Sequence, residues 1–124
     1  MPLVLRHATR ADIAAYSDMA DKPTIKAMVG DLDGRLLGIG GMAFIDGRWF
    51  AFCDVTEEGR AYKRAIIKAA LDVMRDAARD GVKYIYADPD PKEPGAIPWM
   101  ERFGFRPDPR SSRLYRWSAK EWQP

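Results

Sequence analysis

At 124 residues, with 47% hydrophobic and 31% charged side chains, the chain has the make-up of one mixed-class domain spanning 1–124, large enough to bury a core without metal or disulfide staples. The 20 basic residues nearly balance the 18 acidic ones, leaving a net charge of +2, which gives no global drive toward nucleic acid or membrane, so electrostatic function has to be local. A single cysteine, Cys53, and a single histidine, His7, exclude an internal disulfide and argue against a structural zinc site.

Residues 3–7 read as a short strand. Thr9-Arg10-Ala11-Asp12 then has capping-box form, a hydroxyl and a carboxylate three residues apart that satisfy orphan helix donors. A short helix is expected from there, with Ile13, Tyr16 and Ala20 on one face and Lys22-Pro23 marking its end. Asp33-Gly34 and Asp46-Gly47 separate three apolar runs, and this dipeptide favours the positive backbone angles of tight hairpins. The prediction is an antiparallel meander with strands over 24–31, 36–45 and 49–55. The run 36–45 is too short and too glycine-rich for a membrane helix, and its Gly38, Gly40 and Gly41 imply a bulge or a close backbone approach. No basic-then-apolar leader opens the chain, so the expected location is the cytoplasm.

The longest helical pattern covers 60–80, where Ile66, Ile67, Ala70, Leu71, Met74, Ala77 and Ala78 recur at helical spacing and Gly81 is placed as a stop. A strand over 82–87 follows. A helix between two strands is a crossover that makes parallel pairing the expected arrangement. A proline-rich loop over 88–95, a short helix over 97–103 stopped by Gly104, a last strand over 114–117 and a tail over 120–124 complete the chain. The order predicts an α+β, mixed α/β fold with one central mixed sheet, an antiparallel N-terminal meander and helices on both faces.

Chemistry concentrates in 52–71, F-C-D-V-T-E-E-G-R-A-Y-K-R-A-I-I-K-A-A-L, where a strand passes through an acidic turn into a cationic helix start. Arg60, Lys63 and Arg64 stand where the helix dipole alone favours acids, a mismatch that a phosphate-bearing ligand resolves. The alternative is a solvated basic helix start balanced by Glu57 and Glu58. Strand alternation puts Phe52 and Asp54 on one face and Cys53 and Val55 on the other. Asp54, Glu57 and Glu58 each read, from the residues alone, as exposed or ion-paired acids, and proton transfer by any of them requires a suitably tuned pKa. Cys53 reads as a small buried hydrophobe, and His7 as a structural or surface residue. Residues 106–117, R-P-D-P-R-S-S-R-L-Y-R-W, interleave cations with aromatics, as an edge strand with solvated arginines or as a surface for single-stranded nucleic acid. Trp99, Trp117 and Trp122 are core or partner-contact residues.

The element order and three local motifs resemble the GNAT family of acyl-CoA-dependent N-acyltransferases over nearly the whole chain. L-R-H-A-T-R-A-D-I is similar to the family's first strand and helix. R-A-Y-K-R-A at 60–65 is similar to its pyrophosphate loop, an Arg or Gln, two variable residues, a Gly, one variable residue and a Gly or Ala. A-I-P-W-M-E-R-F-G-F is similar to its short helix closing on Gly-Phe. The resemblance implies acetyl-CoA or CoA as cosubstrate, held by backbone N–H groups of Arg60, Ala61, Tyr62, Lys63, Arg64 and Ala65, with the Val55 N–H toward the thioester carbonyl. It implies transfer of an acetyl group to a small-molecule or protein amine by direct attack, with Asp54 or Glu57 as base. Lys63 stands where the family has Gly, and Met100 stands where it has the tyrosine that protonates the leaving thiolate. These departures motivate an alternative: a catalytically degenerate GNAT scaffold that works through a protein partner, as short GNAT-like proteins of phages do. A homodimer and a nucleic-acid module resting on the C-terminal arginines are further options.

Overall fold

The computed structural model describes residues 3–16, 24–92 and 95–120. Strand β1 (Val4–His7) leads into α1 (Arg10–Tyr16) through the expected capping box. The Thr9 N–H donates to Asp12 Oδ2 at 2.7 Å and the Asp12 N–H to Thr9 Oγ1 at 3.2 Å. Arg6 grips the same carboxylate with two N–H groups, at 2.6 and 3.2 Å. Its Nε reaches Asp31 Oδ2 at 3.3 Å, so one guanidinium ties the helix start to the neighbouring strand. The expectations for Ala20, Lys22-Pro23 and Trp122 lie outside the described residues.

The meander forms as β2 (Thr24–Leu32), β3 (Arg35–Ile45) and β4 (Arg48–Val55). Asp33 and Asp46 have φ of 53° and 51°, each followed by a positive-φ glycine, the backbone that two-residue hairpins require. After β4 comes a 3-10 turn (Glu58–Tyr62), then α2 (Lys63–Arg79), β5 (Tyr84–Ala87), α3 (Ala96–Arg102), β6 (Arg106–Pro107) and β7 (Tyr115–Ser118). The seven strands make one mixed sheet in the order β1-β2-β3-β4-β5-β7-β6. β4 and β5 are parallel, and the pairs on either side of them are antiparallel.

Two local outcomes differ from the sequence pattern. The helix expected over 60–80 opens as a tighter turn, because Thr56 Oγ1 accepts the Gly59 N–H at 3.0 Å while the Thr56 N–H bonds Leu37 O at 2.9 Å. This pulls the chain onto β3. The proline-flanked 106–109 region holds β6, which pairs with the last strand. Buried Asp108 organises the connection: its N–H bonds Leu114 O at 3.0 Å and its Oδ1 accepts the Arg110 N–H at 3.2 Å.

The sheet has different cover on its two faces. On one, α2 inserts the fully buried Ile66 over a floor of Gly30, Gly38 and Gly40, where the missing Cβ atoms leave room for it. Leu71, Met74 and Ala77 continue the same stripe onto Met42, Ile85 and Trp117. Met100 on α3 and Phe103 just after it pack against this core. On the other face Ile13 of α1 packs near Ala27, Val29, Ile39 and Phe52. Helices therefore lie on both faces, but Tyr84, on the α1 face of β5, is still 43% exposed.

Two outcomes test this picture. A Cβ on Gly59 would stand 2.0 Å from Leu37 O, so Gly59→Ala is expected to destabilise by roughly 2–3 kcal/mol in urea unfolding. The Arg6 hydrogen bonds, then that from the Thr9 N–H, hold the Asp12 carboxyl at about 2, below its ordinary 3.8. A depressed folded-state pKa gives stability that is present above pH 4 and lost as pH falls toward 2. Asp12→Asn should cost about 1 kcal/mol at pH 7, and unfolding curves should show the gap closing between pH 4 and 2.

Candidate functional site

β4 and β5 pair at one register position, Phe50 opposite Tyr86. Beyond it the chains part. Ala51, Phe52 and Cys53 follow on one side of the fork and Ala87, Asp88 and Pro89 on the other, and together they border a cavity of ≈ 340 Å³. Parallel strands in mixed sheets offer their carboxyl ends as ligand crevices for this reason: the connections there diverge. α2 roofs the cavity with Lys63, Ile67, Ala70, Leu71 and Met74, and the α3 region closes it with Ala96, Trp99, Met100 and Phe103. Trp99 stacks on Phe103 with ring centres 5.6 Å apart, forming a flat apolar wall.

Helix phase decides which motif residues reach this space. Positions 63, 67, 70, 71 and 74 form one stripe at helical spacing. Arg60, Ala61 and Arg64 are exposed, Tyr62 and Ala65 are half-buried, and none of the five borders the cavity. Of the expected 60–65 loop, Lys63 alone lines it. Several backbone donors of that loop are already used: Gly59 N–H by Thr56 Oγ1, Arg60 N–H by Glu57 O at 3.3 Å, and Lys63 N–H by Arg60 O. The first turn of α2 carries no acid, so the dipole and the cations at 60, 63 and 64 leave a local excess of positive potential. Glu58 is drawn aside by Arg35, 2.7 Å away.

Asp54 is exposed and stands opposite Ile39, on the α1 face of the sheet. Its carboxylate thus lies across the sheet from the cavity, beside the fork. Glu57 is exposed in the turn after β4. Val55 is opposite Gly38, with its Cγ1 filling the space a Cβ there would take, and does not border the cavity. Met100 does. Cys53 corrects the buried-hydrophobe expectation: with Gly40 opposite it and the strand splayed, the thiol is exposed to the cavity. The surrounding protein desolvates it and pushes its pKa up to about 11, Lys63 opposing the shift and Asp54 adding to it.

Other cavity residues escaped the sequence reading, notably Ile67, Asp88, Asp90, Trp99 and Phe103. The usable signal was the 88–95 loop at the carboxyl end of a parallel strand, and the aromatic pair spaced i, i+4. Asp88 is fixed by Arg113, 3.1 Å away. The C-terminal arginines are largely engaged: Arg106 donates to Glu101 O and Phe105 O, and Arg116 lies 3.9 Å from Asp108. Trp117 is core, and His7 is exposed. Among the described residues no helix is long and apolar enough to cross a membrane.

No family sequence model and no curated protein matches the chain. Solved structures do match its shape. A Klebsiella pneumoniae protein assigned as an acyl-CoA N-acyltransferase is 15% identical with a TM-score of 0.68, covering 94% of this chain and 97% of its own. The ribosomal-protein-S18-alanine N-acetyltransferase of Escherichia coli is 11% identical with a TM-score of 0.67, covering 95% and 94%. A GNAT-family acetyltransferase of Staphylococcus aureus Mu50 is 12% identical with a TM-score of 0.65, covering 95% and 99%. The fold is that of the GNAT superfamily.

The cavity thiol gives a direct check on this environment. The thiol is pushed up to about 11 from the ordinary 9.0, and because the more basic thiolate is also the better nucleophile, iodoacetamide at pH 7 should alkylate Cys53 roughly tenfold more slowly than an ordinary thiol. The rate, followed by mass spectrometry, should climb about tenfold per pH unit until it levels near pH 11.

Proposed function

We propose that this GNAT-fold protein binds acyl-CoA, acetyl-CoA first among them, in the forked cavity and transfers the acyl group to an amine by direct attack. One observation carries the reading: an apolar cavity lies where β4 and β5 part, with the acid-free, cationic start of α2 at its rim. Its chemistry fits such a ligand. Ile67, Ala70, Leu71, Met74 and Met100 give the apolar walls that an acyl-pantetheine arm needs. Lys63 at the rim, supported by Arg60, Arg64 and the N–H groups of Ala61, Tyr62 and Ala65 at the helix start, would hold a diphosphate. When bound, acyl-CoA supplies the activated thioester carbonyl.

The chain's own groups do the rest. Asp54, across the sheet beside the fork, accepts the proton of an incoming amine, with Glu57 the second candidate. The Val55 N–H is the candidate donor toward a carbonyl oxygen. On the cavity side Cys53 Sγ keeps its proton at neutral pH, in a place where Met100 has none to give. The amine enters from the face that Asp54 occupies, opposite the α2 face. Holding two reactants in line contributes roughly 7–11 kcal/mol, which supports turnover without a tyrosine at position 100. Acyl-CoA is an intracellular metabolite, which supports a cytoplasmic protein.

A second reading, a scaffold that binds acyl-CoA without turning it over and acts through a protein partner, is favoured by Met100 and by the engaged N–H groups of Gly59, Arg60 and Lys63. Thermal unfolding with acetyl-CoA at 100 times its Kd should show about 2.7 kcal/mol of stabilisation. Lys63→Glu should weaken binding at least about tenfold, roughly 1.4 kcal/mol, and bound acetyl-CoA should shield Cys53 from alkylation. No stabilisation at millimolar ligand overturns the reading. Stabilisation without thiol release across a panel of amines selects the scaffold.

A further inference from the structure

The cavity of ≈ 340 Å³ has two chemically different ends. α2 joins β4 to the parallel β5 and so runs back against both strands, with Lys63 at their carboxyl ends and Met74 three turns further on, about 16 Å along the helix axis. Every charged lining side chain, Lys63, Asp88 and Asp90, stands at the outer end, with the Cys53 thiol beside them. The inner end begins at Ala51 and Ala87, the residues that follow the contact of Phe50 with Tyr86, and faces Leu71 and Met74. Leu71, Met74, Ala87 and Phe105 belong both to this lining and to the buried core cluster. The cavity therefore runs into the hydrophobic core.

Small residues keep the inner end open. Ala51, Ala70 and Ala87 each supply only a methyl group where a larger side chain would close it. An apolar hollow holds water poorly, because a water molecule there lacks partners, and it leaves its own walls short of dispersion contacts. Hydrocarbon fills both deficits. The pantetheine arm of CoA does not, since its amides would lose their hydrogen bonds among side chains that offer none. At the outer end those amides do find partners: beyond Phe50 and Tyr86 the facing edges of β4 and β5 no longer pair with each other, so backbone N–H and C=O groups turn toward the fork. The inner end is left for the acyl tail.

We propose that the cavity is shaped for an acyl group longer than acetyl, an unbranched and uncharged chain with its carbonyl near Cys53 and its tail against Ala51, Leu71, Met74 and Phe105. This assignment rests on the acyl-CoA reading above and narrows its donor. Cys53 and Ala51 are two strand residues apart, about 7 Å, which gives room for roughly four carbons beyond those of acetyl. Past Met74 the space ends against Ile85 and Trp117, 0% and 1% exposed, so the length of the tail is bounded. Acetyl fills the outer part alone. A chain ending in a carboxylate would bury its charge in the inner end without a partner.

The probes are CoA, acetyl-CoA, hexanoyl-CoA, decanoyl-CoA and adipoyl-CoA, whose six-carbon chain ends in a carboxylate, each measured by calorimetry on the full chain with no amine present. Burying one methylene strengthens binding by up to about fourfold, so hexanoyl-CoA should bind at least about tenfold more tightly than acetyl-CoA. Adipoyl-CoA should lose that gain, and decanoyl-CoA should bind no more tightly than hexanoyl-CoA. Ala51→Val, its fold checked by circular dichroism, should cut the hexanoyl advantage below about threefold and leave acetyl-CoA within about twofold of its original affinity. Where that variant does not fold, the unmodified chain and its five ligands decide. Equal affinity for acetyl-CoA and hexanoyl-CoA, a gain kept by adipoyl-CoA, or an affinity that climbs on to decanoyl-CoA as it would on an exposed apolar surface overturns the chain-length assignment. So does an unchanged hexanoyl advantage in folded Ala51→Val. In each of those cases acetyl-CoA still binds and the reading beneath stands; binding by no member of the series, CoA included, removes that reading itself.

Discussion

The parallel contact between β4 and β5 holds at Phe50 and Tyr86 and then releases, and the rest of the site follows from that release. Were the two strands zipped further, Cys53 would face a closed sheet and the cavity would vanish. Because they part, a cavity opens beside β4 and β5, and the sheet there has two unlike faces. The α2 side is apolar with a cationic rim, and the α1 side is aromatic with a carboxylate beside the fork.

α2 can roof the opening because β2 and β3 present glycine where they run beneath it. Ile66 settles over Gly30, Gly38 and Gly40, which fixes the height and the rotation of the helix together. Rotation is the decisive quantity, since it turns Lys63, Ile67, Ala70 and Met74 toward the fork and Arg60 and Arg64 toward water. The close approach of Gly59 to Leu37 sets the other end of the same geometry and shapes the tight turn before the helix. Packing and cavity are thus one constraint: residues that bury the helix also choose which charges face the cavity.

The fold likeness extends over nearly the full length of chains that share only 11–15% of their residues with this one. That combination is expected when layer packing and strand order are retained and side chains are free to change. It retains the architecture and leaves any chemistry to this chain's own residues. Here those residues are a cavity thiol, a lysine at the helix start and a methionine on α3.

Much of the architecture was readable in one dimension. Asp-Gly pairs place the hairpins because few other dipeptides accept those backbone angles, the capping box announces α1, and the apolar period of 60–80 announces α2, all of them local effects. The mid-strand glycines of β3 signalled a close approach without naming Ile66 as the group that fills it. The short β6 stayed hidden because its pairing depends on buried Asp108, and a proline-flanked segment carries no strand pattern of its own. Apart from β6 and the 3-10 turn before α2, the sequence by itself determined the elements, their order and the cationic helix start, since these rest on contacts a few residues apart. Only the tertiary structure decided that Lys63 and not Arg60 or Arg64 reaches the cavity, that Cys53 is open to it, and that Asp54 and the tyrosines share the opposite face. Those outcomes depend on helix rotation and strand divergence, which long-range packing sets.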